Sequence, residues 1–369
     1  MAIVNVVLGD CPGCGGKACF GNVMITGNKL SRGCKQCRYW TYVNLPPVSK
    51  KIVYLDQSIL SAAFKGGDAR AVQAVERVSQ LASKQLLVAP HSNLHEDETH
   101  QWAGYGGKTP VELMKFIERT ARGLEFKNSY SVEEAQAYKG FKAFLAGASP
   151  QYELDEKDAV SGDIHEWHNY VYITVGRYLG DTQLISELKE QAVRTLLEVF
   201  DTWAQSTNSF EQDVALENAE AGKGYLQAFL NMQARLERGD FDALLNAPIA
   251  SQCVGTLLHA VRKDMPTDEA FAEVVRFFFS EHFAELPCQW LSSRMFATIK
   301  SMVKNGAFSN REKALSSLSG VFYDVQHIST YAPYCDAIFI LKTAVTRYRL
   351  HDLFASGGFS VVRWPRWCA

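Results

Sequence analysis

The residues of this chain whose types and spacing can do chemistry form a sulfur set and an oxygen set. The sulfur set lies at the start. Five of the nine cysteines fall by position 37, and four of them make the pairs Cys11-Pro-Gly-Cys14 and Cys34-Lys-Gln-Cys37. Two residues between paired thiolates let a tight turn aim both at one ion, and two such turns complete the tetrahedral S4 shell that zinc prefers in closed structural sites. A full shell leaves no open position, so the ion would fold its module and do no chemistry. Disulfides are the competing reading, which a reducing compartment disfavours. A redox pair is normally found once and near a βαβ unit, not twice in a glycine-rich stretch. Cys19 is left over, as a small buried residue more than as a fifth ligand.

The oxygen set is dispersed. Acids stand in Tyr54-Leu-Asp56-Gln-Ser58, in His91-Ser-Asn-Leu-His95-Glu-Asp-Glu98-Thr, in Tyr323-Asp324-Val-Gln-His327 and in Pro333-Tyr-Cys-Asp336-Ala-Ile-Phe-Ile. They can act together only if the fold brings these segments to one place. Lys51–Leu55 is a short apolar, β-rich run that predicts a buried strand ending at Asp56. Residues 69–83 space Val72, Val75, Val78 and Leu81/Ala82 as a helix does. Leu86–Ala89 predicts a second strand, and a further helix begins within Asn93–Trp102. Tyr334–Leu341 and Phe359–Trp364 are again strand-like. Strands alternating with helices predict an α/β fold with a parallel sheet, and ligand sites in such sheets lie beyond the carboxyl ends of the strands. From about 110 to 315 helical periodicity dominates, as in Val193–Trp203 and Phe271–Phe279, which predicts a large helical insertion.

Composition narrows the class. With 47% hydrophobic and 12% aromatic residues and a net charge of −2, the chain is globular and not disordered. No run of about 18 apolar residues exists, and Met1–Asp10 has no basic n-region, so a cytoplasmic protein without membrane contact is expected. The charge is polarised. Residues 1–50 carry six Lys/Arg against the single acid Asp10, and residues 288–323 and 342–369 each carry five bases against one acid. These segments hold +13, leaving −15 on the rest, a distribution that suits a polyanionic ligand or reflects an uneven solvated surface. Lys35, Arg38, Tyr39, Trp40 and Tyr42 interleave bases with aromatics, fit either for base stacking or for packing on a neighbouring domain. Arg294, Lys300 and Lys304, with Arg311 and Lys313 beyond, read as a phosphate-binding stripe on a helix, with helix solubilisation the plainer account. Two motifs are set aside. Gly104-Tyr-Gly-Gly-Lys-Thr109 lacks the upstream glycine and strand of a P-loop, and His165-Glu-Trp-His168 lacks a third ligand and reads as a helical surface pair.

The first 46 residues resemble a zinc ribbon. The order of the acidic blocks resembles the PIN-like nuclease superfamily over residues 50–105 and 315–369. The resemblance is carried by Asp56 with Ser58, Glu98 six residues after Ser92, and Asp324 with His327, followed by Asp336 in a Tyr-x-Asp-Ala run. It implies an α/β fold: a PIN-like parallel sheet flanked by helices, interrupted by an all-helical insertion at 106–314 and preceded by the ribbon at 1–46. It also implies phosphodiester hydrolysis by a metal-dependent endonuclease, more a ribonuclease than a deoxyribonuclease. Mg2+ or Mn2+ would be held by Asp56, Glu98 and Asp324, since hard cations prefer carboxylate and water. Asp336 is either a fourth catalytic acid or a hydrogen-bonding group at the strand entrance. Ser58, His95 and His327 would contact substrate or orient the carboxylates, the histidines being equally explicable as core residues. Arg294, Lys300 and Lys304 would bind substrate. Ile340-Leu-Lys342 departs from the family, which commonly places another acid there. That departure keeps alive an alternative, a catalytically decayed PIN-like nucleic-acid-binding or adaptor protein. The expected partner is nucleic acid, single-stranded or structured RNA, with the insertion available for a homo-oligomer or protein partner. A place in toxicity or phage defence would suit a solitary, elaborated nuclease.

Overall fold

The computed structural model describes residues 3–167, 194, 198–241, 248–261, 265–308 and 320–340. It is a mixed α/β structure with two separate sheets. The first is an antiparallel meander of β1 (Val6–Gly9), β2 (Phe20–Thr26), β3 (Lys29–Cys34) and β4 (Trp40–Asn44), in sequence order. A two-residue turn joins β2 to β3, pairing Thr26 with Lys29; Gly27 sits there at φ +55°, where a side chain would be strained. The turn between β1 and β2 and the end of β3 carry the cysteine pairs.

The second sheet is parallel: β5 (Lys51–Leu55) lies between β6 (Leu87–Val88) and β7 (Ala337–Phe339). Its strands read as unbroken apolar runs because both faces are covered. Ile52, Tyr54, Val88 and Ile338 point to one face, and Val53, Leu55, Leu87 and Ala337 to the other. Helices α1 (Gln57–Lys65), α2 (Ala69–Ser83) and α4 (Pro110–Ala121) cover the second face, through Ile59, Val75, Val78, Leu113 and Ile117. The first face is covered by α5 (Ser129–Leu145), α11 (Pro287–Lys304) and α12 (Val321–Tyr331), and here Leu291, Met295, Ile299 and Val303 recur every four residues as one buried stripe. Each such fully buried side chain contributes roughly 1.5–3 kcal/mol. Between these lies α3 (Asn93–His100), after β6.

The remaining elements are α6 (Glu156–Ala159), α7 (Phe210–Glu237), α8 (Ile249–Val261), α9 (Thr267–Phe278) and α10 (Glu281–Ala284). The last three pack with α5 around Phe141, Phe277, Phe278 and Phe283, a second core that α7 joins through Tyr225 and Phe229. The helical segment is therefore not one appendage. Helices α4 and α11, inside the stretch expected as an insertion, are layers of the parallel sheet itself, and α5 serves both cores through Val132 and Phe141. An apolar helical stripe does not tell in sequence whether a sheet or another helix will cover it.

Local chemistry explains the two motifs set aside. The Gly104–Thr109 stretch leads into a helix start: Thr109 and Glu112 cap α4 reciprocally and Pro110 fills its first turn. Residues 161–167 are turns and not the helix expected there, and His165 Nδ1 accepts the Lys50 N–H at 3.1 Å just before β5. His168, Arg311, Lys313, Leu341, Lys342 and the expected strand Phe359–Trp364 lie outside the described residues. Among the described residues, no helix is long and apolar enough to cross a membrane.

Candidate functional site

The sulfur set is assembled. The Sγ atoms of Cys11, Cys14, Cys34 and Cys37 all lie within 4.8 Å of one another, with Cys11–Cys37 at 3.7 Å and Cys14–Cys34 at 3.9 Å. A tetrahedron built on Zn–S bonds of about 2.3 Å has edges of about 3.8 Å, so donor type and spacing both fit zinc. Backbone N–H groups of Gly13, Gln36 and Tyr39 donate to the sulfurs of Cys11, Cys34 and Cys37 at 3.2–3.3 Å, as expected where turns must stabilise thiolates. Burial opposes ionisation of Cys34, yet the backbone N–H groups of Gln36 and Cys37 and the neighbouring thiols of Cys19 and Cys11 bring its thiol down to about 6. Cys19 is buried beneath the cluster, donates to the Gly16 carbonyl at 3.1 Å, and is pushed up to about 11 by burial and by its sulfur neighbours.

Part of the oxygen set lies at the carboxyl end of the parallel sheet. Strand β5 carries the chain to Asp56, whose N–H donates to the Phe339 carbonyl of β7 at 2.9 Å. The Asp56 carboxylate caps α1, accepting the Ser58 N–H at 3.0 Å and the Ser58 hydroxyl. Burial raises its pKa; His327 opposes that shift and Glu98 adds to it. The centre strand with neighbours on opposite sides marks the switch point where open α/β sheets form their crevice.

Helix α3 is fixed to this end by His95. Its Nδ1 accepts the Ser92 N–H at 3.0 Å, so Nε2 carries the proton and donates to the Leu55 carbonyl at 2.8 Å, one residue before Asp56. Burial keeps the ring neutral, well below the usual histidine pKa. With both nitrogens engaged, the substrate contact expected of His95 gives way to a positioning role. Glu98 follows one turn later on the same helix.

Helix α12 supplies Asp324 and His327 one turn apart. His327 is almost wholly buried; the Tyr54 hydroxyl bonds its Nδ1, and its Nε2 faces Glu98 Oε2 at 3.4 Å with no hydrogen-bond partner among the described residues. Burial opposes protonation of this ring, but Glu98, then Asp56 and Asp324, hold its pKa above the ordinary value. All three expected acids therefore act on one point from three elements. Gln101 Nε2 donates to the Tyr323 hydroxyl at 3.0 Å, tying the end of α3 to α12. A second orphan, Gln57 Oε1, is buried beside this edge while its Nε2 donates to Thr99. Three carboxylates around buried, unsatisfied polar atoms are a donor set that hard divalent cations accept. Among the described residues, only the four cysteines gather three or more metal-binding side chains within 4.8 Å; the carboxylates stand further apart around His327.

Sequence reasoning missed Tyr54. A phenol inside an otherwise apolar strand needs a buried partner, and that was the available signal.

Two expectations are corrected. Asp336 precedes β7 and so stands at the amino end of the sheet: its carboxylate accepts the Ile52 N–H at 2.8 Å and pairs with Lys51 at 2.7 Å. Ile52 is four residues from Asp56, about 13 Å at roughly 3.3 Å per residue, which removes Asp336 from the acidic site and leaves the strand-entrance role. The stripe on α11 is also not a phosphate surface. Lys300 pairs with Glu217 at 2.5 Å, Lys304 pairs with the buried Asp213 and donates to the Asn208 carbonyl, and Arg294 stacks 3.9 Å from the Trp290 ring. The two lysines hold α7 against α11, and Arg294 lies along its own helix on Trp290. Comparison with known proteins gives no matching family model, curated protein or solved structure.

Proposed function

We propose that this chain is a metal-dependent nuclease, acting on RNA, with a ribbon that helps capture the substrate. The observation that carries the reading is the convergence of Asp56, Glu98 and Asp324 on His327 at the carboxyl edge of the parallel sheet. The resemblance to PIN-like nucleases supports it, since the same three acids carry that resemblance. A Mg2+ or Mn2+ ion, when bound, would supply a water of lowered pKa and neutralise charge on the scissile phosphate. The protein's own groups do the rest. Ser58 and the first turn of α1 fix the Asp56 carboxylate at the end of β5. His95 holds α3 so that Glu98 reaches the same edge, and His327, anchored by Tyr54, orients Glu98 from the side away from solvent. Asp324, one turn before His327 on α12, would add its negative charge to that of Asp56 and Glu98.

The test is cleavage of several labelled RNAs by the zinc-loaded full chain with Mg2+ or Mn2+. The expected result is cleavage that Asp56→Asn and Asp324→Asn each reduce at least about a hundredfold while the protein stays folded. Wild-type protein that binds RNA and cuts none of them with either metal overturns the nuclease reading. It would favour the non-catalytic alternative, which the placement of Asp336 away from the other acids keeps open.

A further inference from the structure

Trp40 and Tyr42 are the large aromatics of the N-terminal sheet that nothing in the fold explains. They stand two residues apart on β4, hence on the same face, with ring centroids 6.4 Å apart and 40% and 65% exposure. Across from them on β3 lie Gly33 and Ser31, too small to cover either ring. Tyr39 is 38% exposed but, unlike the other two, packs on Phe20 and against Gly13 of the cysteine turn. The sheet is held to the rest of the chain elsewhere: Trp167 donates to the Pro46 carbonyl at 2.7 Å, and Lys50 reaches the Glu166 carbonyl.

The cations around this face differ from those of α11. Lys29 shares the face with Trp40 and Tyr42, opposite Asn44, and Lys35 and Arg38 flank it in the cysteine turn. All three are exposed, and among the described residues none makes an ion pair, whereas Lys17 is paired with Asp10 and Lys50 is buried. Of the three basic segments that the sequence marks for a polyanion, residues 342–369 lie outside the described residues, and of the other two this one keeps exposed cations that make no ion pair among the described residues.

We propose that the Trp40–Tyr42 face stacks successive unpaired bases of a single-stranded nucleic acid whose phosphates meet Lys29, Lys35 and Arg38. The choice of nucleic acid rests on the nuclease reading together with the charge of this face; the single-stranded preference comes from the rings, since stacking needs bases that are not already paired. Every base offers a π-face, so the platform is tolerant of sequence.

The probe is a short fluorescein-labelled oligouridine, with a duplex of matched length for comparison, titrated by anisotropy against the full chain carrying Asp56→Asn to prevent cleavage. The single strand is expected to bind more tightly than the duplex. Trp40→Ala with Tyr42→Ala should weaken it at least about tenfold while zinc content stays at one per chain, and Trp40→Phe with Tyr42→Phe should keep most of the affinity. Lys29→Gln, Lys35→Gln and Arg38→Gln together should flatten the slope of log affinity against log salt by about two. Unchanged binding by the alanine pair overturns the proposal, as does equal affinity for the duplex. Failure to bind either oligonucleotide also overturns it and assigns the face to a protein partner. The two readings fail separately. Ring-dependent binding by a wild-type chain that cuts nothing sinks the nuclease and spares the platform; cleavage by a chain indifferent to the alanine pair does the reverse.

Discussion

Replacing Lys304 by Met tests whether the bases of α11 belong to the fold or to a ligand. The Lys304 side chain is 14% exposed and that of its partner, Asp213, 3%. Removing the ammonium would leave a buried carboxylate with, among the described residues, the Asn208 side-chain amide at 3.4 Å to answer it. Breaking a buried pair from one side costs about 3–5 kcal/mol; the residual exposure of Lys304 and the flexibility of Met put the expected loss near about 3 kcal/mol. Asp213→Asn keeps the volume but strands the ammonium, which can shift toward water, so a smaller loss of about 2 kcal/mol is expected. The double variant Lys304→Met, Asp213→Leu should return to within about 1 kcal/mol of the parent, because two apolar groups of similar size need no desolvation. Urea unfolding of all four proteins, compared at constant m-value, closes the cycle. A further variant links stability to binding: neutralising Arg294, Lys300 and Lys304 together should leave the salt dependence of RNA affinity unchanged. If Lys304→Met costs under about 0.5 kcal/mol and flattens that salt dependence, the pair is solvated and the stripe is a phosphate surface after all.

Cys34→Ser should release zinc and unfold the first sheet while the parallel sheet survives; elemental analysis with far- and near-ultraviolet dichroism checks both halves. Asp336→Asn should leave metal-dependent cleavage within about threefold of the parent, unlike Asp56→Asn, and lower stability by about 1 kcal/mol through the weakened bond to the Ile52 N–H; kinetics and unfolding on the same sample separate the two effects. Burial pushes the Glu133 carboxyl up to about 6, although the Thr330 and Tyr225 hydroxyls donate to it. A folded pKa above the unfolded value means stability that is present below about pH 4.5 and lost as pH rises through 6. Glu133→Gln should therefore stabilise the protein at pH 7 by up to about 2 kcal/mol, a gain that fades in thermal melts taken toward pH 4.5.

The parts of the molecule that were legible in the sequence are those set by local pattern. Lys51–Leu55 is apolar at every position but its first, and it forms the centre strand because both its faces are covered. Residues 69–83 carry a helical stripe that became α2 with the same ends. The cysteine pairs specify their cluster because two residues between thiols leave little choice of turn. The acids required a long-range inference. Asp56 and Glu98 share an edge because each follows a parallel strand, whereas Asp336 leads into one, and strands that run the same way put those positions at opposite ends. The order of residues already contained that difference. The bases of α11 were misread for another reason. Lys300 and Lys304 are four apart, and so are the Asp213 and Glu217 that pair with them, which is the spacing of two helix faces meeting. Charge counted along the chain does not reveal which opposite charge, some 90 positions away, the fold will set against it. Tyr54 and His327 fall between these cases: each is recognisable as a polar group bound for the interior, but their meeting is a property of the packed sheet alone.

The most direct test of the acidic site is a crystal structure of the full chain with Mn2+, using anomalous scattering to place the ion. The account predicts an anomalous peak at the carboxyl edge of the parallel sheet, with oxygens of Asp56, Glu98 and Asp324 drawn in to about 2.0–2.6 Å and Asp336 still bonded to the Ile52 N–H. An empty carboxylate ring at saturating Mn2+, or an ion bound at Asp336 instead, would contradict it.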